Sequence, residues 1–127
     1  TILRAVACNA PAKWNFDPQP TNNHIPIAYV QTTGTADGLC SWVNNDAQKK
    51  GGKYCLLQHV EDNGCNTSTT IKLATSGTHV VTEFPGCKDG YPVKFMSHNG
   101  DHVCNKTDQG SSVDWIPVEF WEFFRRF

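Results

Sequence analysis

Apolar and polar positions divide the chain into short blocks. Residues 2–8, Ile2-Leu3-Arg4-Ala5-Val6-Ala7-Cys8, form a nearly continuous apolar run that predicts a buried strand. The stretch from Asn9 to His24 is rich in Pro and Asn and has no periodicity, which predicts a loop. Residues 25–32 again read as a strand, with Pro26 tolerable at its start, and they stop at Gly34-Thr35-Ala36-Asp37-Gly38. Between Ser41 and Asp62, the residues Trp42, Val43, Ala47, Tyr54, Leu57 and Val60 recur as one helical face. Gly51-Gly52 divides that region into two helical pieces, and Gly64 is placed to cap the second. Two β-branched segments, 69–74 and 78–84, flank Thr75-Ser76-Gly77 and predict a hairpin near a sheet edge. Residues 91–97 alternate as a strand does and run into His98-Asn99-Gly100-Asp101-His102. After Ser111-Ser112-Val113-Asp114, Pro117 falls near a first turn. Phe120, Trp121, Phe124 and Phe127 then predict an amphipathic helix with an aromatic core face.

The order strand, strand, helix, hairpin, strand, helix predicts part of an α/β layered sheet, whose functional loops gather at the C-terminal ends of its strands. Two loops are then candidates for chemistry. Asp37 follows one strand between glycines, and His102 follows another after Gly100-Asp101. Parallel packing would put both on one rim. A carboxylate there orients an imidazole, and acid before base is the chain order of a hydrolase triad whose nucleophile comes first. As residues taken singly, Asp37 also reads as a turn residue and His102 as a polar loop residue. His98 and His102 have a zinc-like spacing, but Asn-Gly-Asp between them forbids a regular helix, so no metal site is expected. His24, His59 and His79 have no partners in sequence and read as surface residues.

Composition narrows the field. The 127 residues carry 11 Lys plus Arg against 12 Asp plus Glu, a formal charge of −1 that gives no footprint for nucleic acid. With 39% apolar and 18% charged residues the chain is not disordered, and no apolar run reaches a membrane span. Six cysteines and two sequons, at Asn66 and Asn105, predict a secreted, disulfide-bonded and glycosylated protein. There is no Cys-x-x-Cys pair, which argues against a zinc ribbon or a thioredoxin-like site. The chain enters a buried strand directly after Thr1, which suggests a processed or truncated product.

Several segments in order carry a resemblance. These are Ile2-Leu3-Arg4-Ala5-Val6-Ala7, the run from Pro26 to Gly38, Asn63-Gly64-Cys65, the run from Phe84 to Val93, and Asn99-Gly100-Asp101-His102. Together they resemble the C-terminal half of a secreted feruloyl or acetyl xylan esterase of carbohydrate esterase family one, related to polyhydroxybutyrate depolymerase-like esterases. The resemblance implies that residues 1–127 are the C-terminal portion of one α/β-hydrolase catalytic domain, a doubly wound sheet completed by an N-terminal segment outside this sequence. It makes Asp37, in Thr33-Gly34-Thr35-Ala36-Asp37, the triad acid; the family has His at the first of these positions. It makes His102, rather than His98, the triad base. It also implies a Cys65 to Cys87 disulfide, which cysteine spacing alone could not select from 15 pairings.

The family's Gly-x-Ser-x-Gly nucleophile elbow is missing, and Ser41, Ser68, Ser76, Ser97, Ser111 and Ser112 lie in other contexts. The expected function is therefore the acid and base part of a cofactor-independent serine esterase that releases hydroxycinnamoyl groups such as ferulate from plant cell-wall polysaccharide. Acetylated xylan is the alternative substrate. The expected partner is the N-terminal portion of the same precursor, without which the chain is expected to aggregate; Cys104 is a candidate for pairing with it. Three other readings are open. One is a carbohydrate-binding module stacking sugars on Trp14, Trp42 or Trp115. Another is a small ribonuclease using Glu83 with His98 or His102, although Lys88, Lys94, Lys106, Arg125 and Arg126 make a poor phosphate site. The last is an N-terminal nucleophile at Thr1.

Overall fold

The computed structural model describes residues 3–12, 23–43 and 50–127. Among them the order of elements is β1 (Ala5–Asn9), β2 (Ala28–Gly34), α1 (Gly52–Asp62), β3 (Val80–Phe84), β4 (Val93–His98) and α2 (Trp115–Phe124). The strands make one mixed sheet in the order β1-β2-β4-β3, with β1, β2 and β4 parallel and β3 antiparallel at the edge. Ala5 lies opposite Ala28, Tyr29 opposite Val93, and Gly34 opposite His98. The fold is thus α/β.

Alternation along the strands sends side chains to two helix-covered faces. On one face Tyr29, Val93 and Phe95 pack with Leu56 and Val60 of α1. On the other, Ala28, Val30 and Met96 pack with Trp115, Ile116 and Phe123 of α2. β2 is flanked by strands on both edges and all seven of its residues are buried, which explains its lack of a solvent-facing polar phase. Its polar residues are satisfied internally: Gln31 accepts from the Tyr29 hydroxyl and donates to Thr33 Oγ1 and the Gly52 carbonyl. β1, by contrast, is half-buried throughout, despite its apolar sequence.

Local signals account for the helix ends. Asp114 caps α2 by accepting the Ile116 N–H at 3.2 Å. α1 closes with Asn63 followed by Gly64 at φ 68°, where the Gly64 N–H reaches the Glu61 carbonyl and the Cys65 N–H the Val60 carbonyl. That paired arrangement needs a left-handed residue, and glycine takes it without a Cβ penalty.

The structure corrects further expectations. Segment 69–74 is not a hairpin strand; β3 forms its backbone ladder with β4 instead. The segment is held alongside by side-chain oxygens, the Lys72 N–H donating to Thr82 Oγ1 and the Ala74 N–H to Ser97 Oγ. In α2 the buried face is Trp115, Ile116 and Phe123 with Phe120 partly covered, whereas Trp121 is 67% exposed and Phe124 and Phe127 are also exposed. Positions 116, 120 and 123 make a tighter helical stripe than 120, 121, 124 and 127, and that stripe meets the sheet. Ser41 to Val43 carry no helix, and the rest of the expected first helical piece, 44–49, lies outside the described residues.

The Cys65–Cys87 disulfide is present. It spans 22 residues and ties the end of α1 to the turn after β3, a closure that contributes about 3 kcal/mol in the chain-entropy account. Beside it, Asn63 is fully buried: its amide donates to the Ile27 and Tyr91 carbonyls and accepts from the Ile27 N–H. The Asn63-Gly64-Cys65 motif therefore clasps the entrances of β2 and β4.

Candidate active site

β2 and β4 are adjacent and parallel, so the loops leaving their C-terminal ends emerge side by side. Asp37 stands three residues beyond β2 and His102 four beyond β4. The two side chains meet, with His102 Nδ1 3.0 Å from Asp37 Oδ2. The Asp37 side chain is fully covered, and that of His102 is 37% exposed.

Three donors converge on the Asp37 carboxylate. Oδ1 accepts the Leu39 N–H at 2.9 Å and the Cys40 N–H at 2.7 Å, while Oδ2 faces the imidazole. Burial opposes ionisation, but the Cys40 N–H, the His102 ring and the Leu39 N–H outweigh it and hold the carboxyl below the usual range. Asp37 is therefore an anion at neutral pH, and its Oδ2 is placed to accept a hydrogen carried on His102 Nδ1, which in a neutral ring leaves Nε2 as the accepting nitrogen. The turn-residue reading of Asp37 also holds in part, since its Oδ1 organises the turn through residues 38–40.

The histidine loop is fastened at several points. The Ala36 N–H donates to the Gly100 carbonyl at 3.1 Å, and the Thr35 N–H to the His98 carbonyl at 2.8 Å. From β1, Asn9 Nδ2 donates to the Val103 carbonyl at 3.0 Å, and Asn9 Oδ1 accepts from the Thr32 hydroxyl. A Cβ on Gly34 would lie 2.2 Å from the Gly100 carbonyl oxygen, so only glycine lets the two loops close to this distance. Sequence reasoning placed Asn9 in a loop and gave Gly34 no role beyond ending a strand.

The remaining candidates separate. His98 is buried at the end of β4 and its Nδ1 accepts the Gly100 N–H, so it does not join His102 as a ligand pair. Among the described residues no cluster of three or more His, Cys, Asp or Glu side chains is arranged to hold a metal ion. Contrary to expectation, His59 stacks on Tyr29 with centroids 3.7 Å apart, and His79 pairs with Asp108 and stacks on Trp115. His24 is exposed but bonds Asp62. Trp115 is buried and Trp42 is stacked on Phe95, so neither presents an open sugar platform; Trp14 and Thr1 lie outside the described residues. Glu83 lies opposite Lys94, four residues before His98 and thus about 13 Å along the strand, which defeats the ribonuclease pairing. Ser97 is buried with its hydroxyl turned to Ala74. Asn66 and Asn105 are both exposed.

The chain is 33% identical over 103 residues, or 80% of its length, to feruloyl esterase D of Neurospora crassa. It spans about a third of the length of that relative. No protein-family model matches it. The relationship is feruloyl esterase-like.

Proposed function

We propose that this chain is the C-terminal part of a secreted serine esterase of the α/β-hydrolase class, and that it supplies the acid and base of the catalytic triad. The observation that carries the proposal is the Asp37–His102 contact at the ends of adjacent parallel strands. The likeness to feruloyl esterase D supports an ester of a hydroxycinnamic acid on plant cell-wall polysaccharide as substrate, with acetylated xylan as the alternative. His102 Nε2 takes the proton of a serine hydroxyl as the oxygen attacks the ester carbonyl, then returns it to the departing sugar alcohol; water repeats the cycle to free the acid. Asp37 holds the ring and stabilises the imidazolium. The serine and the oxyanion donors come from a Gly-x-Ser-x-Gly segment of the same precursor, outside this sequence.

The outer edge of β1 supports such a partner. Its apolar side chains are only half-buried and Leu3 is 62% exposed, as fits a strand awaiting a neighbour. The disulfide and the exposed sequons at Asn66 and Asn105 support secretion and glycosylation. Labelling the full-length protein with a fluorophosphonate tests the assignment. The probe should mark a serine outside these 127 residues, and turnover of methyl ferulate against acetylated xylan decides the acyl group. Labelling of a serine within this chain would overturn the reading.

A further inference from the structure

Behind the Asp37–His102 pair lies a second histidine that the proposed chemistry does not use. His98 is the last residue of β4 and only 2% exposed. Its ring meets Trp115 of α2 edge-on, with centroids 6.0 Å apart. The Gly100 N–H points at His98 Nδ1 over 3.1 Å. A backbone N–H can only donate, so Nδ1 has to be the unprotonated, accepting nitrogen of a neutral imidazole. Gly100 passes the constraint on, because its carbonyl accepts the Ala36 N–H from the acid loop. Two residues later the same loop delivers His102 to Asp37. The space is already filled: a Cβ on Gly100 would stand 2.9 Å from His98 Nδ1 and 3.1 Å from Lys106 Nζ.

We propose that His98 is a positioning residue, whose neutral Nδ1 holds Gly100 and thereby sets His102 against Asp37. Protonation of His98 puts a hydrogen on Nδ1, opposes it to the Gly100 N–H and releases the loop. The surroundings keep the ring neutral. Burial is the largest influence, Lys106 and His79 also disfavour a second positive charge, and Asp37 alone works the other way. Asp108 neutralises part of the His79 effect by pairing with it. The proposal rests on the reading of His102 as the general base.

Three variants of the full-length enzyme separate the two ideas. His98→Asn places its amide oxygen where Nδ1 stood and does not titrate; His98→Phe fills the volume with no acceptor. With methyl ferulate, His98→Phe should lower kcat about ten- to hundredfold at little change in KM, the penalty of a misplaced base. His98→Asn should restore most of kcat. His102→Ala is the control. If it is inactive while His98→Phe turns over normally, or if His98→Asn is as impaired as His98→Phe, the positioning role is wrong and the triad reading stands. If His102→Ala remains active, the triad reading fails. The ring nitrogen shifts of His98, read by NMR in the wild-type protein, then decide the hydrogen bond independently of activity: a protonated Nδ1 at neutral pH overturns it.

Discussion

The two ends of the sheet are held in different ways. At the entrances of β2 and β4 the chain is clamped by a covalent bond, Cys65–Cys87, and by the three hydrogen bonds of one buried side chain, Asn63. At the exits, the two loops are joined by single backbone hydrogen bonds, a glycine contact and the Asp37–His102 pair. The clamped end tolerates little displacement. The rim is held by many individually weak bonds, so its precision depends on all of them together. Substitutions at the entrances should therefore change stability and spare the chemistry, and those at the Asp37–His102 pair should do the reverse.

The largest separation is expected at the Asp37–His102 pair. In the full-length enzyme Asp37→Asn and His102→Ala should each lower kcat by about 10³- to 10⁴-fold, with little change in melting temperature. Steady-state kinetics beside calorimetry measures both halves. A variant that keeps near-normal turnover would remove its residue from the machinery.

The reverse effect belongs to the entrances. Asn63→Ala strands the Ile27 and Tyr91 carbonyls and the Ile27 N–H, and should cost about 3 kcal/mol. Cys87→Ser opens the disulfide at a similar cost, about 3 kcal/mol. Chemical denaturation reads these losses, while kcat at a temperature where the variants stay folded should be unchanged. A large fall in kcat with stability intact would show that the two ends are coupled.

Gly34→Ala sharpens the comparison because it strikes the rim through packing alone. A Cβ 2.2 Å from one backbone oxygen and 2.6 Å from another cannot fit without moving the histidine loop. The expected cost is about 1–3 kcal/mol of stability, together with a loss of turnover. Wild-type kinetics in this variant would mean that the loop spacing does not matter.

How far these features could be read in advance depends on how local they are. Strands β1, β2 and β4 and helix α2 were legible from apolar runs and from the Asp114 cap, and the rim follows once β2 and β4 are parallel neighbours. Asp37 and His102 were legible as candidates because each follows a strand amid glycines, although only the resemblance chose His102 over His98. The segment before β3 was misread because β-branched residues signal extended chain without naming its partner, and the hydroxyls of Thr82 and Ser97 took its N–H groups. His59 and His79 were misread because stacking on Tyr29 and Trp115 is long-range. Asn9 and Asn63 are single polar residues whose partners lie tens of positions away, and no local pattern announces them.

The smallest expected effect concerns acid. His59 lies over Tyr29 on the α1 face, and its Nδ1 is buried with no hydrogen-bond partner among the described residues. Burial lowers its pKa below the ordinary value near 6.5, an effect that Asp62 only partly offsets. An unfolded chain therefore takes up a proton that the folded one refuses. Stability is full above pH 6.5 and falls as the pH drops below it, until the folded pKa is reached. One such group changes stability by at most about 1.4 kcal/mol per pH unit. His59→Phe keeps a ring on Tyr29 and removes the titration, so the full-length variant should lose less stability between pH 6.5 and about 5. His98→Asn should flatten the same fall from the rim, because His98 is held neutral in the same way. Denaturation midpoints across that range give the slopes. Any change in kcat should be confined to the His98 variant, since His59 touches no residue of the Asp37 or His102 loops in the contacts described. Equal effects of both variants on kcat would mean that acid acts through global unfolding rather than through the histidine loop.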